Sequence, residues 1–390
     1  MGDTQVDDIC QALGFGSVMR VLFVAPSLNT GGAERFTLRL TRALVMQGVE
    51  ASVVSLADKG DLIGEFSEAD VPVHTLGLGS GTSLSLAAAR VSHLARRIKP
   101  DSIQGMMYLG DIFATVASLS GMNRNLFWSI RTSKLPPSTA ANRRLLPFAL
   151  APASHLLPRR IISCSQGASD LHVRRGYARS KIVHIPNSVE NWALNARIES
   201  RLLNGSSDPI RLGLAARYDP GKGHLELVQA VALLRQRGHN VEATFIGRGT
   251  GCGEQLEVDL QRRGLGHVPV YHGGLRGVDG TRQWMSEGLD LYVMASSRWE
   301  AFPNALAEAA TAGLPSMATN VGASWSLIAK IGELPGFNPN QIATGVAKYL
   351  AYPREHLLLE TSLNSARLRG SLSSECIARR YLSVWQQFSS

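Results

Sequence analysis

Short runs rich in β-branched residues alternate with helical patterns along almost the whole chain. After the first run, Phe36, Leu40 and Leu44 recur at four-residue spacing, which predicts a helix with one apolar face. The predicted strands span residues 20–26, 50–56, 71–76, 102–104, 126–130, 160–164, 181–185, 210–216, 241–246, 268–271, 290–295 and 314–318. This alternation is typical of βαβ units, so the sequence predicts an α/β protein with parallel sheets covered by helices.

The alternation is interrupted at residues 187–209, where Asn204–Pro209 has the composition of a turn. A chain of 390 residues also exceeds the usual length of one domain. We therefore expect two Rossmann-like domains whose parallel sheets face a central cleft, with ligands at the carboxyl ends of the strands. The predicted ranges are a disordered extension at 1–16, a first domain at 17–190, a linker at 191–209, a second domain at 210–372 and a C-terminal helix at 373–390.

The net charge of +9 is concentrated in one segment, residues 131–181, which contains ten bases and the single acid Asp170. Apolar residues such as Leu145 and Phe148 lie between the bases. A basic amphipathic segment predicts contact with an anionic membrane surface. The alternative is a solvated helix face with some structural arginines. No nucleic-acid-binding motif accompanies the charge, so nucleic acid is not expected as a partner.

Cysteine spacing and hydropathy bear on the compartment. The four cysteines are far apart and form no CxxC pair, which indicates reduced thiols in a cytoplasmic protein. No run approaches the roughly 18 apolar residues that a membrane span needs. Residues 1–16 carry three acids and no base, unlike a secretory signal. We expect a cytoplasmic protein, peripheral at the inner face of the membrane if the basic segment binds there.

Two turns have the composition of anion sites. Gly31 and Gly32 separate the first strand from a helix, whose N-terminus offers N–H groups to a phosphate; the alternative is a tight turn. In the second half, Arg217 and Lys222 lie five residues apart across a turn after a strand. They can converge on one diphosphate, with Arg as a planar fork and Lys as a point charge. The alternative is a surface turn with two exposed bases.

A third turn carries a pair of glutamates. Glu300 lies in the loop after the strand at 290–295, and Glu308 lies eight residues later on the next helix. Carboxylates accept hydrogen bonds from vicinal hydroxyls, which predicts contacts with a sugar and a ribose. The N–H groups of Asn304 and Ala305 begin that helix and are predicted to meet a phosphate. The alternative for Glu308 is an ordinary exposed helix position.

Several stretches of the chain resemble the retaining glycosyltransferases of family 4, which have the two-domain GT-B fold. The stretches are GLAARYDPGKGHLELVQAVALL, FIGRGTG, EAFPNALAEAATAGLPSMATNVG, SLNTGGAER and SCSQGASDLHVRRGYARSKIVHIPNSV, and the resemblance covers nearly the whole chain from Met19 onward. It implies an acceptor-side first domain, a second domain that binds a nucleotide-sugar, and a C-terminal helix that crosses back to the first domain.

The resemblance also implies roles for individual residues. Arg217 and Lys222 hold the donor diphosphate, Glu300 contacts the transferred sugar, Glu308 holds the ribose and the Gly32 N–H meets a donor phosphate. Gly31, Phe302, Asn304 and Ala305 complete the expected donor site, with Arg217, Lys222 and Glu300 as the catalytic residues. No metal or cofactor is implied, and the sequence has no Asp-x-Asp pair. The implied reaction is attack on the same face of the donor sugar, without a protein nucleophile.

The sequence departs from the family at two places. Many relatives have a His after the strand near residue 103, whereas this chain reads Gln104 to Asp111 without one. Tyr108, Asp111 and Arg131 are the acceptor-side candidates, although a helix N-cap is the favoured role of Asp111. After Gly322 the chain reads ASWSLI in place of the usual acidic run.

The motifs and the family resemblance together imply a metal-independent, hexosyltransferase-type enzyme that moves a sugar from a UDP- or GDP-sugar to a glycan or lipid-linked acceptor. The expected setting is the synthesis of surface polysaccharide or lipopolysaccharide. Two alternatives stay open: a nucleotide-sugar epimerase on the same fold, and a non-catalytic scaffold that binds a sugar nucleotide.

Overall fold

A computed structural model of the chain describes residues 18–78, 82–121, 125–132, 141–204, 208–274, 277–297 and 300–388, with the side chains of 141–143 not described. The predicted extension at 1–16 lies outside these residues. The chain forms two compact units, one built from the residues up to Ser188 together with Ser374–Ser390, and the other from Val189–Ser373. We call them unit 1 and unit 2.

Unit 1 is a seven-stranded parallel sheet with helices in the connections. Its elements are β1 (Arg20–Ala25), α1 (Gly32–Val45), β2 (Glu50–Ser55), α2 (Ile63–Ser67), β3 (Val73–Thr75), α3 (Leu84–Ile98), β4 (Ser102–Gly105), α4 (Met107–Gly121), β5 (Leu126–Ile130), α5 (Ala141–Leu156), β6 (Arg160–Ser163), α6 (Gln166–Arg174) and β7 (Ile182–His184). The strand order is β3-β2-β1-β4-β5-β6-β7. Residues 21–25 of β1 are all buried because helices cover a parallel sheet on both faces.

Unit 2 is a five-stranded parallel sheet of order β10-β9-β8-β11-β12. Its elements are α7 (Asn191–Asn195), α8 (Arg201–Asn204), β8 (Ile210–Ala215), α9 (His224–Gln236), β9 (Val241–Ile246), α10 (Gln255–Arg262), β10 (Val270–His272), α11 (Val278–Glu287), β11 (Leu291–Met294), α12 (Asn304–Thr311), β12 (Ser316–Ala318), α13 (Ser324–Leu327), α14 (Pro339–Leu350) and α15 (Arg354–Leu372). The predicted α/β class with two parallel sheets is confirmed.

The described part of the predicted linker packs into unit 2. The Arg201 guanidinium binds the buried carboxylate of Asp290, with Nη2 2.8 Å from Oδ2, and the Ser200 hydroxyl donates to the Asp290 carbonyl at 2.6 Å. The Ile198 N–H donates to the carbonyl of Ala312 at 2.9 Å. Residues 191–204 are therefore a folded part of unit 2, because their polar groups find partners there.

The last helix, α16 (Ser374–Gln386), belongs to unit 1, as the crossing back of the C-terminal helix predicts. Ile377, Tyr381 and Trp385 are fully buried in the unit 1 core. The Trp385 ring meets Phe23 of β1 edge-on, with 5.9 Å between centroids. Aromatic side chains bury a large area in this geometry, so α16 is an integral part of the unit 1 core.

Candidate active site

The predicted donor residues of unit 2 follow two adjacent strands, β8 and β11. The chain leaves β8 toward β9 on one side of the sheet, whereas β11 pairs with β8 on the other side. The carboxyl ends of β8 and β11 therefore flank the point where the strand order reverses. Ligands of open α/β sheets bind in the crevice at such a point.

The loops after β8 and β11 are held tightly together. The Ser297 N–H donates to the Gly221 carbonyl at 3.0 Å, and the Ser296 hydroxyl donates to the Lys222 carbonyl at 3.3 Å. Gly223 has a φ of 88°, and a Cβ there would lie within 3.0 Å of the Ala295 carbonyl. Only glycine fits such a backbone position, so this close approach fixes the position of the Lys222 backbone.

The structure brings two of the predicted catalytic residues together as an ion pair. The Lys222 ammonium donates a hydrogen bond to Oε1 of Glu300. Their side chains are 19% and 14% exposed, so the pair is largely shielded from water. A largely shielded ammonium group with one carboxylate partner keeps two further N–H donors for an anion.

Glu308 lies in the second turn of α12 and is 9% exposed. Burial and the neighbouring carboxylates of Glu300 and Glu308 raise the pKa of Tyr292. Tyr292 lies in β11, and its hydroxyl accepts a hydrogen bond from the Ala215 N–H of β8 at 3.3 Å. Both predicted glutamates thus lie near the β8–β11 junction.

The remaining donor-side candidates differ in exposure. Arg217 follows β8, and its side chain is 57% exposed, with Nη2 3.7 Å from Oδ2 of Asp219. Asn304 and Ala305 begin α12 and are partly exposed. The N-cap residue is Pro303, whose side chain forms no capping hydrogen bond. Phe302 is buried, so its ring packs within unit 2. Among these candidates Arg217 presents the most accessible charge.

The atypical run after Gly322 begins next to the loop that contains Glu300 and Ala301. Gly322 has a φ of 63°, and a Cβ there would lie within 3.0 Å of the carbonyls of Glu300 and Ala301. The Ala323 N–H donates to the Ala301 carbonyl at 3.1 Å, and the Trp325 indole donates to the Ala318 carbonyl at 3.0 Å. The departure from the family pattern therefore begins directly after a glycine that packs on the Glu300 carbonyl, and its first residue is hydrogen-bonded to the neighbouring Ala301.

In unit 1, the glycine loop after β1 leads into α1. Gly31 is the N-cap residue, and a Cβ there would collide with the Glu34 carboxylate. Burial raises the pKa of Glu34, although a hydrogen bond to its own N–H acts in the opposite direction. Our sequence reasoning missed Glu34; its signal was an acid three residues after the N-cap, the capping-box position. A phosphate bound at the N-terminus of α1 would therefore lie next to the Glu34 carboxylate.

The three acceptor-side candidates are buried inside unit 1. Tyr108 and His172 share a hydrogen bond of 2.8 Å between the hydroxyl and Nε2, and the second ring nitrogen of His172 lies 2.8 Å from the Ala168 carbonyl. A carbonyl can only accept, so Nδ1 carries the proton and Nε2 accepts from the Tyr108 hydroxyl. Burial lowers the pKa of His172 to about 4. Sequence reasoning did not single out His172.

Asp111 is not a helix cap, because α4 begins at Met107 and Asp111 lies in its second turn. Its Oδ1 accepts the Ser129 N–H of β5 at 3.1 Å, and burial raises its pKa well above the usual value. Met107 has a φ of 64°, a left-handed conformation that costs a residue with a Cβ roughly 1–2 kcal/mol. This strained residue occupies the turn in which many relatives carry a His.

Arg131 is enclosed between aromatic rings. Its guanidinium lies 4.1 Å from the Phe36 ring centroid and 5.8 Å from that of Tyr381. Nη1 donates to Oδ1 of Asn187 at 2.6 Å, while Nε and Nη2 are buried without a hydrogen-bond partner among the described atoms. Burial lowers its pKa to about 10. Arg131 thus packs α1 and α16 onto the sheet; an acceptor contact stays a prediction for all three candidates.

The part of the chain that the structure describes contains no cluster of three or more His, Cys, Asp or Glu side chains suited to a metal ion. Within the same residues, no helix is both long and apolar enough to span a membrane.

Comparisons with known proteins bear on the family and the fold of the chain. Residues 30–191 match a family model described as Glycosyltransferase Family 4, and residues 209–351 match one described as Glycosyl transferases group 1. The chain is 25% identical over 337 residues to the putative glycosyltransferase EpsF of Bacillus subtilis, which covers 81% of this chain and 84% of that protein.

Solved structures share the fold. HepE of Anabaena, crystallised with UDP-glucose, has a TM-score of 0.76 at 19% identity, over 95% of this chain and 100% of that one. A putative UDP-N-acetylglucosamine 2-epimerase from Listeria monocytogenes has a TM-score of 0.56 at 14% identity, over 95% of this chain and 96% of that one. At identities this low, the similarity shows a shared fold and nothing more. The same fold also occurs in a protein described as an epimerase.

Proposed function

Because the chain belongs to the glycosyltransferases of the family 4 and group 1 type, we propose that it is a retaining, metal-independent, hexosyltransferase-type enzyme that uses a UDP- or GDP-sugar. The ion pair of Lys222 and Glu300 at the β8–β11 junction carries the proposal. In this proposal, Lys222 is the cation for the donor phosphate and Glu300 is the carboxylate for the sugar hydroxyls. The acceptor is a glycan or lipid-linked glycan of a surface polysaccharide or lipopolysaccharide, and the enzyme works in the cytoplasm at the inner face of the membrane.

Charge neutralisation by side chains supports metal independence. When the sugar departs, negative charge develops on the nucleotide diphosphate. Lys222 and the exposed guanidinium of Arg217 lie on the same loop and supply two positive charges. Preorganised cations stabilise such a leaving group without a metal ion. Glu300 holds Lys222 in place until the donor binds, and then accepts hydrogen bonds from the sugar.

The retaining course of the proposed reaction is the one that the resemblance to family 4 implies. The donor phosphate itself accepts the proton of the attacking hydroxyl on the same face of the sugar. In this scheme, Glu300 binds hydroxyls and forms no covalent intermediate, and Glu308 holds the ribose through its carboxylate. Nuclear magnetic resonance of the anomeric proton in the product tests the stereochemistry directly.

The decisive experiment measures nucleotide release from a panel of sugar nucleotides, with and without acceptor, for the wild type and two lysine variants. Lys222→Ala should reduce kcat about 100- to 1000-fold, the usual effect of removing one donor from a developing anion. Lys348→Ala removes an exposed lysine of α14 in the same unit and should change nothing. A chelator should leave the wild-type rate unchanged.

The same assay separates the two alternatives. An epimerase would convert the donor sugar without any acceptor, and the resemblance of the fold to one putative epimerase makes this control necessary. A scaffold would bind a nucleoside diphosphate yet never release one from a donor. Equal rates for Lys222→Ala and the wild type would reject the assigned site.

A further inference from the structure

Unit 1 contains a cavity of about 580 Å³ at the edge formed by the amino ends of its strands. Leu126 and Arg160 begin β5 and β6 there, and Lys181 directly precedes β7. Gly31, Tyr108 and Arg131 instead follow the carboxyl ends of β1, β4 and β5. In a parallel sheet these two edges are opposite, so the cavity is separate from the predicted acceptor side of the unit.

Three cations line the cavity and none has a carboxylate partner among the described residues. Arg159 and Arg160 both face the ring of Phe388, at 5.6 and 4.9 Å from its centroid, and Lys181 is the third. Burial and repulsion from the two arginines lower the pKa of Lys181. Both guanidinium groups lie against the same ring, so three positive charges without a described carboxylate partner share one concave surface.

Helix dipoles account for only part of this charge. The helices α4 and α5 end beside the cavity, at Gly121 and Leu156, and each C-terminus is equivalent to roughly −0.5 of an elementary charge. Together they offset about one of the three cations, which leaves a charge of about +2 among the described residues of the cavity. The excess predicts an anionic ligand.

The rim of the cavity is apolar and exposed. Leu119 is 68% exposed and Leu156 is 83% exposed. Leu156 lies on the same face of α5 as Leu145 and Phe148, which are also exposed, so the apolar surface continues along this helix. Exposed leucines around a basic cavity match a ligand that carries a phosphate next to an apolar group.

We propose that this cavity binds the phosphate headgroup of an anionic membrane lipid, with Arg159, Arg160 and Lys181 on the phosphate and Leu119 and Leu156 against the acyl region. The site docks unit 1 on a membrane through the edge of the sheet remote from the predicted acceptor side. The proposal rests on the membrane contact of the proposed function and is independent of sugar transfer.

The test is co-sedimentation with vesicles, in the absence of any sugar nucleotide. One preparation is phosphatidylcholine alone, and the other is equal parts of phosphatidylcholine and phosphatidylglycerol. The wild type should bind only the anionic vesicles. Replacing Arg159, Arg160 and Lys181 together with Gln should weaken that binding on the order of 100-fold, about fivefold for each cation at the surface.

The matched control replaces Lys59, Arg90 and Arg144 with Gln, three exposed bases of the same unit. Lys59 follows the carboxyl end of β2, Arg90 donates to the Leu76 carbonyl just after β3, and Arg144 lies in the first turn of α5, so all three are on the side of the sheet opposite the cavity. Its binding should stay within about threefold of the wild type, because charges beyond a Debye length of roughly 8 Å from the membrane are screened. Should the first triple variant fail to fold, Lys181→Gln alone should lose about fivefold. Equal losses for the triple variant and its control would overturn the proposal.

A second arm separates a lipid from a soluble phosphate ester. Leu156→Ser should weaken binding to anionic vesicles and leave binding of glycerol 3-phosphate unchanged. Tight binding of glycerol 3-phosphate without any preference for anionic vesicles would replace the lipid by a soluble ligand and reject the proposal. Because neither arm involves sugar transfer, an inactive enzyme that still binds the vesicles would refute only the proposed reaction.

Discussion

Lys222 and Glu300 show how much one side-chain contact changes the interpretation of a motif. Each residue by itself is compatible with an exposed loop, but the structure joins them across 78 positions of the chain in a shielded ion pair. Breaking a buried pair leaves an uncompensated charge, which is destabilising unless a ligand supplies the missing partner. In the proposed site, a donor phosphate would take the place of the Glu300 carboxylate as the partner of Lys222.

His172 makes the stability of unit 1 depend on pH. Its folded pKa of about 4 is below the ordinary 6.5, so the unfolded chain binds more protons between these values. The stability it contributes is complete above pH 6.5 and is lost as the pH falls toward 4, on the order of 2–3 kcal/mol. Urea unfolding from pH 7 to 4 should show this loss in the wild type and much less of it in His172→Gln.

The control for this prediction is His93→Gln, at an exposed position on α3. It should follow the wild-type pH dependence. If His172→Gln also follows it, burial does not hold His172 in its neutral form.

Two glycines at the ends of α9 allow a matched test of loop packing. Gly223 and Gly238 have φ angles of 88° and 87°, but only Gly223 faces a backbone carbonyl, whereas nothing lies near Gly238. Gly238→Ala should cost about 1–2 kcal/mol for the left-handed backbone alone. Gly223→Ala should cost more and lower the transfer rate, because the Lys222 loop must move away from Ala295. Similar stability and activity for the two variants would show that the close approach is unimportant.

The terminal helix α16 should contribute to the stability of unit 1 selectively. Trp385→Ala removes a fully buried ring and should cost about 3–5 kcal/mol. Trp325→Ala, at a partly exposed position of unit 2, should cost far less. Hydrogen exchange should show lost protection in β1 and α1 for Trp385→Ala, with unit 2 unchanged. Protection lost equally in both units would contradict this assignment of α16.

At the scale of the whole chain, the charged donor residues belong to one unit. Arg217, Lys222, Glu300 and Glu308 all lie within unit 2. A nucleoside diphosphate at about 100 times its Kd should therefore stabilise unit 2 by about 2.7 kcal/mol. Calorimetry with UDP and GDP should show a raised unfolding transition in the wild type and a smaller change in Glu308→Ala. If only the unfolding transition of unit 1 were raised, the nucleotide site would have to lie in unit 1.

The sequence alone determined the α/β class, the parallel strands and the positions of the glycine, Arg–Lys and paired-glutamate turns. These features depend on periodicity and turn chemistry within some ten residues, which a local pattern records. Family resemblance added the expected roles, and the comparisons confirm the family.

Only the tertiary structure decided which of those residues meet. It pairs Lys222 with Glu300, turns Asp111 from a helix cap into a buried acceptor for Ser129, and encloses Arg131 between Phe36 and Tyr381. It also gathers Arg159, Arg160 and Lys181 into one cavity. Burial and pairing depend on strand order and on elements far apart in the chain, so no local pattern could have revealed them.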